Sequence, residues 1–167
     1  LIIALFSVNL FVQGNPQVKN LPVALIVNDE GEHTEVIKSA IEQMEKTNEG
    51  EAPIIAFTAE NEEDIEQLFR DKEYYAAFII PEGYNDHLQN ALTNNRAASL
   101  KIYLNQGYNV TGANYAKNAL TSLVAQLNFQ YSAKFMEQMD GKQINAKQAA
   151  VLVNPIVYDE KVFNEVT

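Results

Sequence analysis

Apolar residues fall along the chain in two rhythms. Pro22-Val23-Ala24-Leu25-Ile26-Val27, Pro53-Ile54-Ile55-Ala56-Phe57 and Tyr74-Tyr75-Ala76-Ala77-Phe78-Ile79-Ile80 are short continuous apolar runs, the pattern of strands buried on both faces. Leu100-Lys101-Ile102-Tyr103-Leu104 alternates instead, which predicts a half-exposed strand at a sheet edge. Between the runs the spacing becomes helical. Residues 33–47 set Val36, Ile37, Ala40, Ile41 and Met44 on one face, with Thr34 as the expected N-cap. Asn61 is the expected cap of a helix carrying Ile65, Leu68 and Phe69, and a short helix through Leu88 and Leu92 follows Pro81.

From Asn109 to Met139 there is no proline, and Ala116, Leu120, Leu123 or Val124, Leu127, Tyr131 and Phe135 recur at steps of three or four. This predicts one long helix over about 109–139, ended near Gly141. A shorter helix over Ala146–Leu152 and an extended tail from Pro155 to Tyr158 complete the chain. The strand–helix alternation implies βαβ units. The expected fold is a single α/β domain with a mostly parallel four- to five-stranded sheet flanked by helices. No internal repeat or linker interrupts residues 20–167.

The first twelve residues, Leu1 to Val12, carry no charge, and the chain does not begin with methionine. As a helix this run would cover about 18 Å, while a bilayer core takes about 20 apolar residues. Two readings stand: residues 1–14 are the outer end of a truncated transmembrane helix, or a buried N-terminal helix. Gly14, Asn15 and Pro16 would end either one.

Charge sharpens the picture. The 167 residues hold 22 acids and 12 bases, with no cysteine. A net charge of −10 excludes a general nucleic-acid binder, and the absence of cysteine excludes disulfides and thiolate metal sites. Residues 29–66 alone hold 13 acids and 2 bases, so the rest of the chain is close to neutral. Such a segment repels anionic surfaces, and it either attracts cationic substrates or serves only to keep the domain soluble.

The inventory for catalysis is thin. His33 and His87 are the only histidines, both in polar segments that read as exposed, with no H-E-x-x-H pattern. No G-x-x-x-x-G-K-[ST] or G-x-S-x-G occurs, which excludes a P-loop and a nucleophile elbow. Glu60-Asn61-Glu62-Glu63-Asp64 lacks the spacing of a calcium loop and reads as a helix start. Asn109-Val110-Thr111 reads as the start of the long helix rather than a glycosylation acceptor, with Gly107 in the preceding turn and Gly112 at a close packing point. No catalytic residue, metal ligand or cofactor is expected.

Three segments carry a resemblance. Asn20-Leu21-Pro22-Val23-Ala24-Leu25-Ile26-Val27-Asn28-Asp29-Glu30-Gly31, set after an apolar helix, resembles the opening "N-L-P-V-A-V-V-N-x-D-x-G" of bacterial type-2 ABC exporter permeases and their YhgE/Pip (phage infection protein) relatives. Lys72 to Tyr84 resembles their "G-x-Y-x-A-x-I-x-I-P-x-x-F" segment, with Tyr84 in place of the usual Phe. Leu100 to Gln106 is similar to the strand that follows, and Asn154-Pro155 to the exit toward the next membrane helix.

The resemblance implies a non-enzymatic extracytoplasmic domain inserted between the first and second transmembrane helices of a permease in the cell membrane. It also implies an ATP-hydrolysing subunit or domain on the other side and pairing as a homodimer or heterodimer. Two other functions stay open: a soluble small-molecule-binding module using the strand ends near Asn28, Thr58 and Pro81, and a cell-surface receptor or secretion component. If a ligand or partner surface exists, the expected residues are Asn28, Asp29 and Tyr84, with Asn105 and Tyr108 beside them.

Overall fold

The computed structural model describes residues 19–46 and 53–165. The apolar run at residues 1–12, its expected end at 14–16 and the acids Glu49 and Glu51 lie outside the described residues. Strands β1 (Leu21–Val27), β2 (Ile55–Ala59), β3 (Ala76–Ile80), β4 (Ala98–Asn105) and β5 (Ile156–Phe163) form one sheet in the order β2-β1-β3-β4-β5. Six helices accompany them among the described residues: α1 (Glu32–Lys46), α2 (Ile65–Asp71), α3 (Tyr84–Gln89), α4 (Ala91–Asn94), α5 (Val110–Gln138) and α6 (Ala146–Val153). The expected α/β class and the long helix are both present.

The sheet is mostly parallel. β1 pairs in parallel with β2 and β3, and β4 with β5, but β3 and β4 are antiparallel, with Phe78 opposite Ile102. β4 is therefore interior, contrary to the expected edge. Its alternation is real, with Leu100, Ile102 and Leu104 buried and Ser99, Lys101 and Tyr103 half-buried. Alternation reports that one face is incompletely covered and says nothing about lateral neighbours. The edges are β2 and β5. β2, expected to be fully buried, buries only Ile55, and β5 exposes Asp159, Glu160 and Lys161, charges that discourage further strand pairing.

Two clusters flank the sheet. The first face packs Val23, Phe78, Ile80, Leu100 and Ile102 against α1, α3 and the stripe Ala116, Leu120, Leu123, Leu127, Tyr131 and Phe135 of α5. The second packs Ala24, Ile26, Ala77 and Ile79 against Ile65, Leu68 and Phe69 of α2, with Tyr74 and Phe163. Tyr74 and Tyr75 thus serve opposite faces, as their sequence spacing requires, although β3 itself begins at Ala76.

Local chemistry corrects two expected caps. α2 is capped by Asp64, whose carboxylate accepts from Gln67 N at 3.2 Å, and not by Asn61. Thr34 lies inside α1 and is fully buried, so it caps nothing. The expected helix through Leu88 and Leu92 is two short helices, because the chain bends at Asn90. At α5 the expectation holds: Asn109 accepts from Gly112 N at 2.7 Å.

Gly112 also lies directly against the ring of Tyr75, where a Cβ would overlap it. Gly112→Ala should therefore lower stability by about 1–3 kcal/mol through overpacking, read as a fall in the denaturation midpoint. In a Tyr75→Ala background the same change should be neutral or stabilising, because alanine is the better helix former. An equal loss in both backgrounds would contradict the contact.

Candidate functional site

The candidate residues lie at the two ends of the sheet. At the upper end β1 and β3 finish and β4 and β5 begin; at the lower end the directions are reversed. The five expected site residues divide between them. Asn28, Asp29 and Tyr84 are at the upper end, whereas Asn105 and Tyr108 follow β4 to the lower end. The expectation that these loops lie side by side fails because β4 runs antiparallel to β3.

The upper end is built on Asp29. Its carboxylate accepts from Gly83 N at 3.0 Å, Asn85 N at 2.8 Å and Asn85 Nδ2 at 2.7 Å, joining the loop after β1 to the loop after β3. Asn85 extends the tie. Its Oδ1 accepts from His33 N at 2.7 Å and Thr34 N at 3.2 Å, and its Nδ2 donates to Thr34 Oγ1 at 2.8 Å. Thr34 Oγ1 in turn donates to Asp29 O at 2.6 Å.

These bonds explain the start of α1. Gly31 O accepts the first helical hydrogen bond from Glu35 N at 3.1 Å, but glycine has no side chain to bond the free N–H groups of the first turn. Asn85, which touches Gly31 where a Cβ would sit, supplies the capping oxygen from another element. The Asn85 amide, followed by its backbone N–H, holds the Asp29 carboxyl below the ordinary carboxylate range against the opposing effect of burial. Sequence reasoning missed Asn85. The available signal was a helix start, Glu30-Gly31-Glu32, with no Ser, Thr, Asp or Asn to cap it.

Tyr84 is fully buried, and its hydroxyl has no hydrogen-bond partner among the described residues. Burial raises its pKa far above that of an exposed tyrosine. It is a core residue at the root of α3 and unavailable to a ligand. Asn28 is exposed.

His33 corrects the expectation of two exposed histidines. His87 is exposed, but His33 is half-buried, with Nδ1 at 2.8 Å from Tyr131 Oη and Nε2 at 3.0 Å from Gln89 Oε1. An amide oxygen only accepts, so Nε2 carries a proton and donates to Gln89. Burial and the charge of Glu32 push the Tyr131 hydroxyl up to about 12. The pair lines a groove of about 470 Å³ between α1, α3 and α5.

At the lower end Asn105 is buried and structural. Its Nδ2 donates to Tyr74 O at 3.0 Å, and its Oδ1 accepts from Asn164 Nδ2 at 3.0 Å. Tyr108 is exposed, donates to Glu73 Oε2 at 3.3 Å and packs edge-on against Tyr75. The described part of the acidic segment 29–66 covers α1, β2 and the start of α2. Several of its acids have structural partners: Glu30 and Glu35 pair with Lys38, Glu45 accepts from Phe57 N, and Glu60 takes both Lys72 and Tyr74 Oη at 2.6 Å. Among the described residues no group of three metal-binding side chains converges.

Residues 1–166 match the family described as protein of unknown function DUF3533. The chain belongs to that family. No curated protein matches the chain. A crystal structure of a domain assigned to an ABC type-2 transporter from Thermotoga maritima MSB8 is similar in fold, with a TM-score of 0.55 and 18% identity over 87% of this chain and 89% of that one. At that identity the likeness establishes a shared fold for this DUF3533 domain.

Two measurements test the upper end. Asp29→Asn should cost about 1–3 kcal/mol near neutral pH. A depressed carboxyl pKa stabilises the fold above the unfolded value, and this is lost as pH falls through the folded one. The gap between wild type and variant in urea melts should therefore narrow below about pH 4; a gap that widens in acid would exclude the tie. Tyr84→Phe removes an unsatisfied hydroxyl and should leave the melting temperature equal or higher, whereas Tyr84→Ala should cost about 3–5 kcal/mol.

Proposed function

We propose that this chain is a non-enzymatic extracytoplasmic domain of an ABC exporter-type permease, carried between its first and second transmembrane helices. The observation that carries the reading is the fold shared with a domain assigned to an ABC type-2 transporter over 87% of this chain. The motifs at Asn20–Gly31, Lys72–Tyr84 and Leu100–Gln106 point to the same class, with the YhgE/Pip proteins as the proposed relatives.

The topology supports it physically. The start of β1 and the end of β5 are both at the lower end of the sheet. They are separated by three strand intervals, about 14 Å at 4.8 Å each. Neighbouring helices pack 8–10 Å apart, so two nearby membrane helices fit these attachment points. Both points are firmly held. Asn20 N donates to Pro53 O at 2.7 Å and Leu21 N to Ile54 O at 2.9 Å; Gln106 N donates to Phe163 O at 3.1 Å beside the Asn105–Asn164 bond.

In this arrangement relative movement of the two membrane helices is passed to the domain as a whole. No helix among the described residues is long and apolar enough to cross a membrane, so the spans would be supplied by flanking sequence. ATP hydrolysis is assigned to a separate subunit or domain, in keeping with a sequence that holds no P-loop, and the permease is proposed to work as a pair. Asn28 and Tyr108, exposed at opposite ends, remain candidate contacts. Asp29, Tyr84 and Asn105 act through the fold.

Two results are expected. The full-length gene should encode apolar spans of about 20 residues on both sides of this domain. Because these residues contain no cysteine, Phe129→Cys, at a site 80% exposed on α5, provides a reporter within the domain. In the full-length protein it should react with a membrane-impermeant maleimide in intact cells. Labelling only after permeabilisation would reverse the topology.

A further inference from the structure

α5 has a second stripe opposite the one that packs on the sheet. Ser122, Ala125, Phe129, Ala133 and Met136 recur on its outer side at steps of three or four, and all are exposed among the described residues. Phe129 is 80% exposed and Met136 54%. The end of α6 lies alongside, because Ser132 Oγ donates to Leu152 O and Asn128 Nδ2 donates to Ile156 O at 2.8 Å. It adds Val153, 65% exposed.

A solvated helix face ordinarily carries charge. α1 follows that rule, with Glu32, Glu35, Glu42, Glu45 and Lys46 exposed. α5 does not: from Asn118 to Ala133 it has no Asp, Glu, Lys or Arg. Its charged residues are on the flanks, with Lys117 paired to Glu160 at 2.8 Å, Lys134 over the Tyr131 ring at 5.6 Å and Glu137 lining the groove beside it. Loss of charge together with exposed Phe and Met is the composition of an interface core.

Two features select a second copy of the chain as the occupant. Copies of net charge −10 repel one another, so they approach most easily through a face that holds no acid. The stripe is also symmetric about Phe129, with Ala125 and Ala133 about one turn to either side and Ser122 and Met136 about two turns away. In an antiparallel pair with Phe129 on the two-fold axis, Ala125 meets the partner's Ala133 and Ser122 meets the partner's Met136. Small residues beside the ring let the two helices come close, and each Met136 has a serine opposite it. A contact of this kind is isologous and closes at two copies.

We propose that the chain self-associates through antiparallel packing of α5 about Phe129. The strip from Ser122 to Met136 is about 21 Å long, the size of a weak and reversible contact. The proposal supplies a face for the pairing of the permease without depending on it. A monomeric chain would overturn it and leave the permease assignment standing, whereas a gene without flanking spans would remove that assignment and leave the dimer. Phe129→Cys removes the ring on the axis, so the maleimide reaction expected of that variant in the full-length protein stands.

Sedimentation velocity on the 167-residue chain should show a monomer–dimer equilibrium below about 1 mM. Added salt should tighten it, because the repulsion between acidic copies is screened. Phe129→Asp should weaken association about tenfold or more while the far-UV spectrum stays that of the folded chain, since the side chain is exposed. Ala125→Glu combined with Ala133→Lys sets opposite charges face to face across the axis and should keep the dimer; Ala125→Lys combined with Ala133→Lys should abolish it. The proposal is overturned if the chain is monomeric at that concentration, if association survives Phe129→Asp, or if both charge variants lose it alike. A monomer in which Phe129→Cys resists maleimide would also overturn it and give the stripe to another part of the same chain.

Discussion

The reversal of chain direction between β3 and β4 governs the rest of the architecture. A parallel successor to β3 would require the chain to travel back along the sheet, as it does between β2 and β3 through α2, a helix of 7 residues. The connection from Pro81 to Ala97 is of similar length but holds α3 and α4, of 6 and 4 residues, bent apart at Asn90. The chain turns over at the upper end and re-enters the sheet downward. β5, being parallel to β4, then needs the full return that β4 lacked, and α5, 29 residues long, provides it on the first face. That the start of β1 and the end of β5 share one end of the sheet follows from this single turn.

The turn is secured where it is made. Asp29 and Asn85 join the loops after β1 and β3, so the short α3 begins from a position fixed by a carboxylate with three donors. Buried or half-buried charge-assisted bonds of this kind are the strong ones. At the opposite end the Asn105 side chain bridges Tyr74 and Asn164, joining the start of β3 to the chain just past β5. One polar junction fixes the reversal, and the other holds the sheet together at its lower end.

Most of the elements were legible in the sequence, because strand runs and the helical stripe of α5 are local patterns: Leu120, Leu127 and Tyr131 declare a helix face without any partner. The order and direction of strands were not. Leu88 and Leu92 have the spacing of one short helix, and only the backbone bend at Asn90 reveals two. The polar junctions were also hidden, since Asp29 and Asn85 are 56 residues apart and His33 and Tyr131 are 98 apart. Tyr84 follows Pro81 in a loop, a place that reads as surface; the Phe in the permease motif it resembles agrees with the apolar site it occupies.

The second face, over which only α2 packs among the described residues, raises a different physical question, since an exposed sheet surface ordinarily invites association. Here the strand positions that would be apolar under a helix are Ser99, Lys101, Asp159 and Lys161, and Lys161 lies over the ring of Phe163 at 4.7 Å. Polar residues on that face remove the drive to cover it and leave a charged depression beside α2. The same substitution of polar for apolar residues gave β4 its alternating pattern. The feature that made β4 look like an edge strand in the sequence is thus the polar character of its second-face positions and not its place in the sheet.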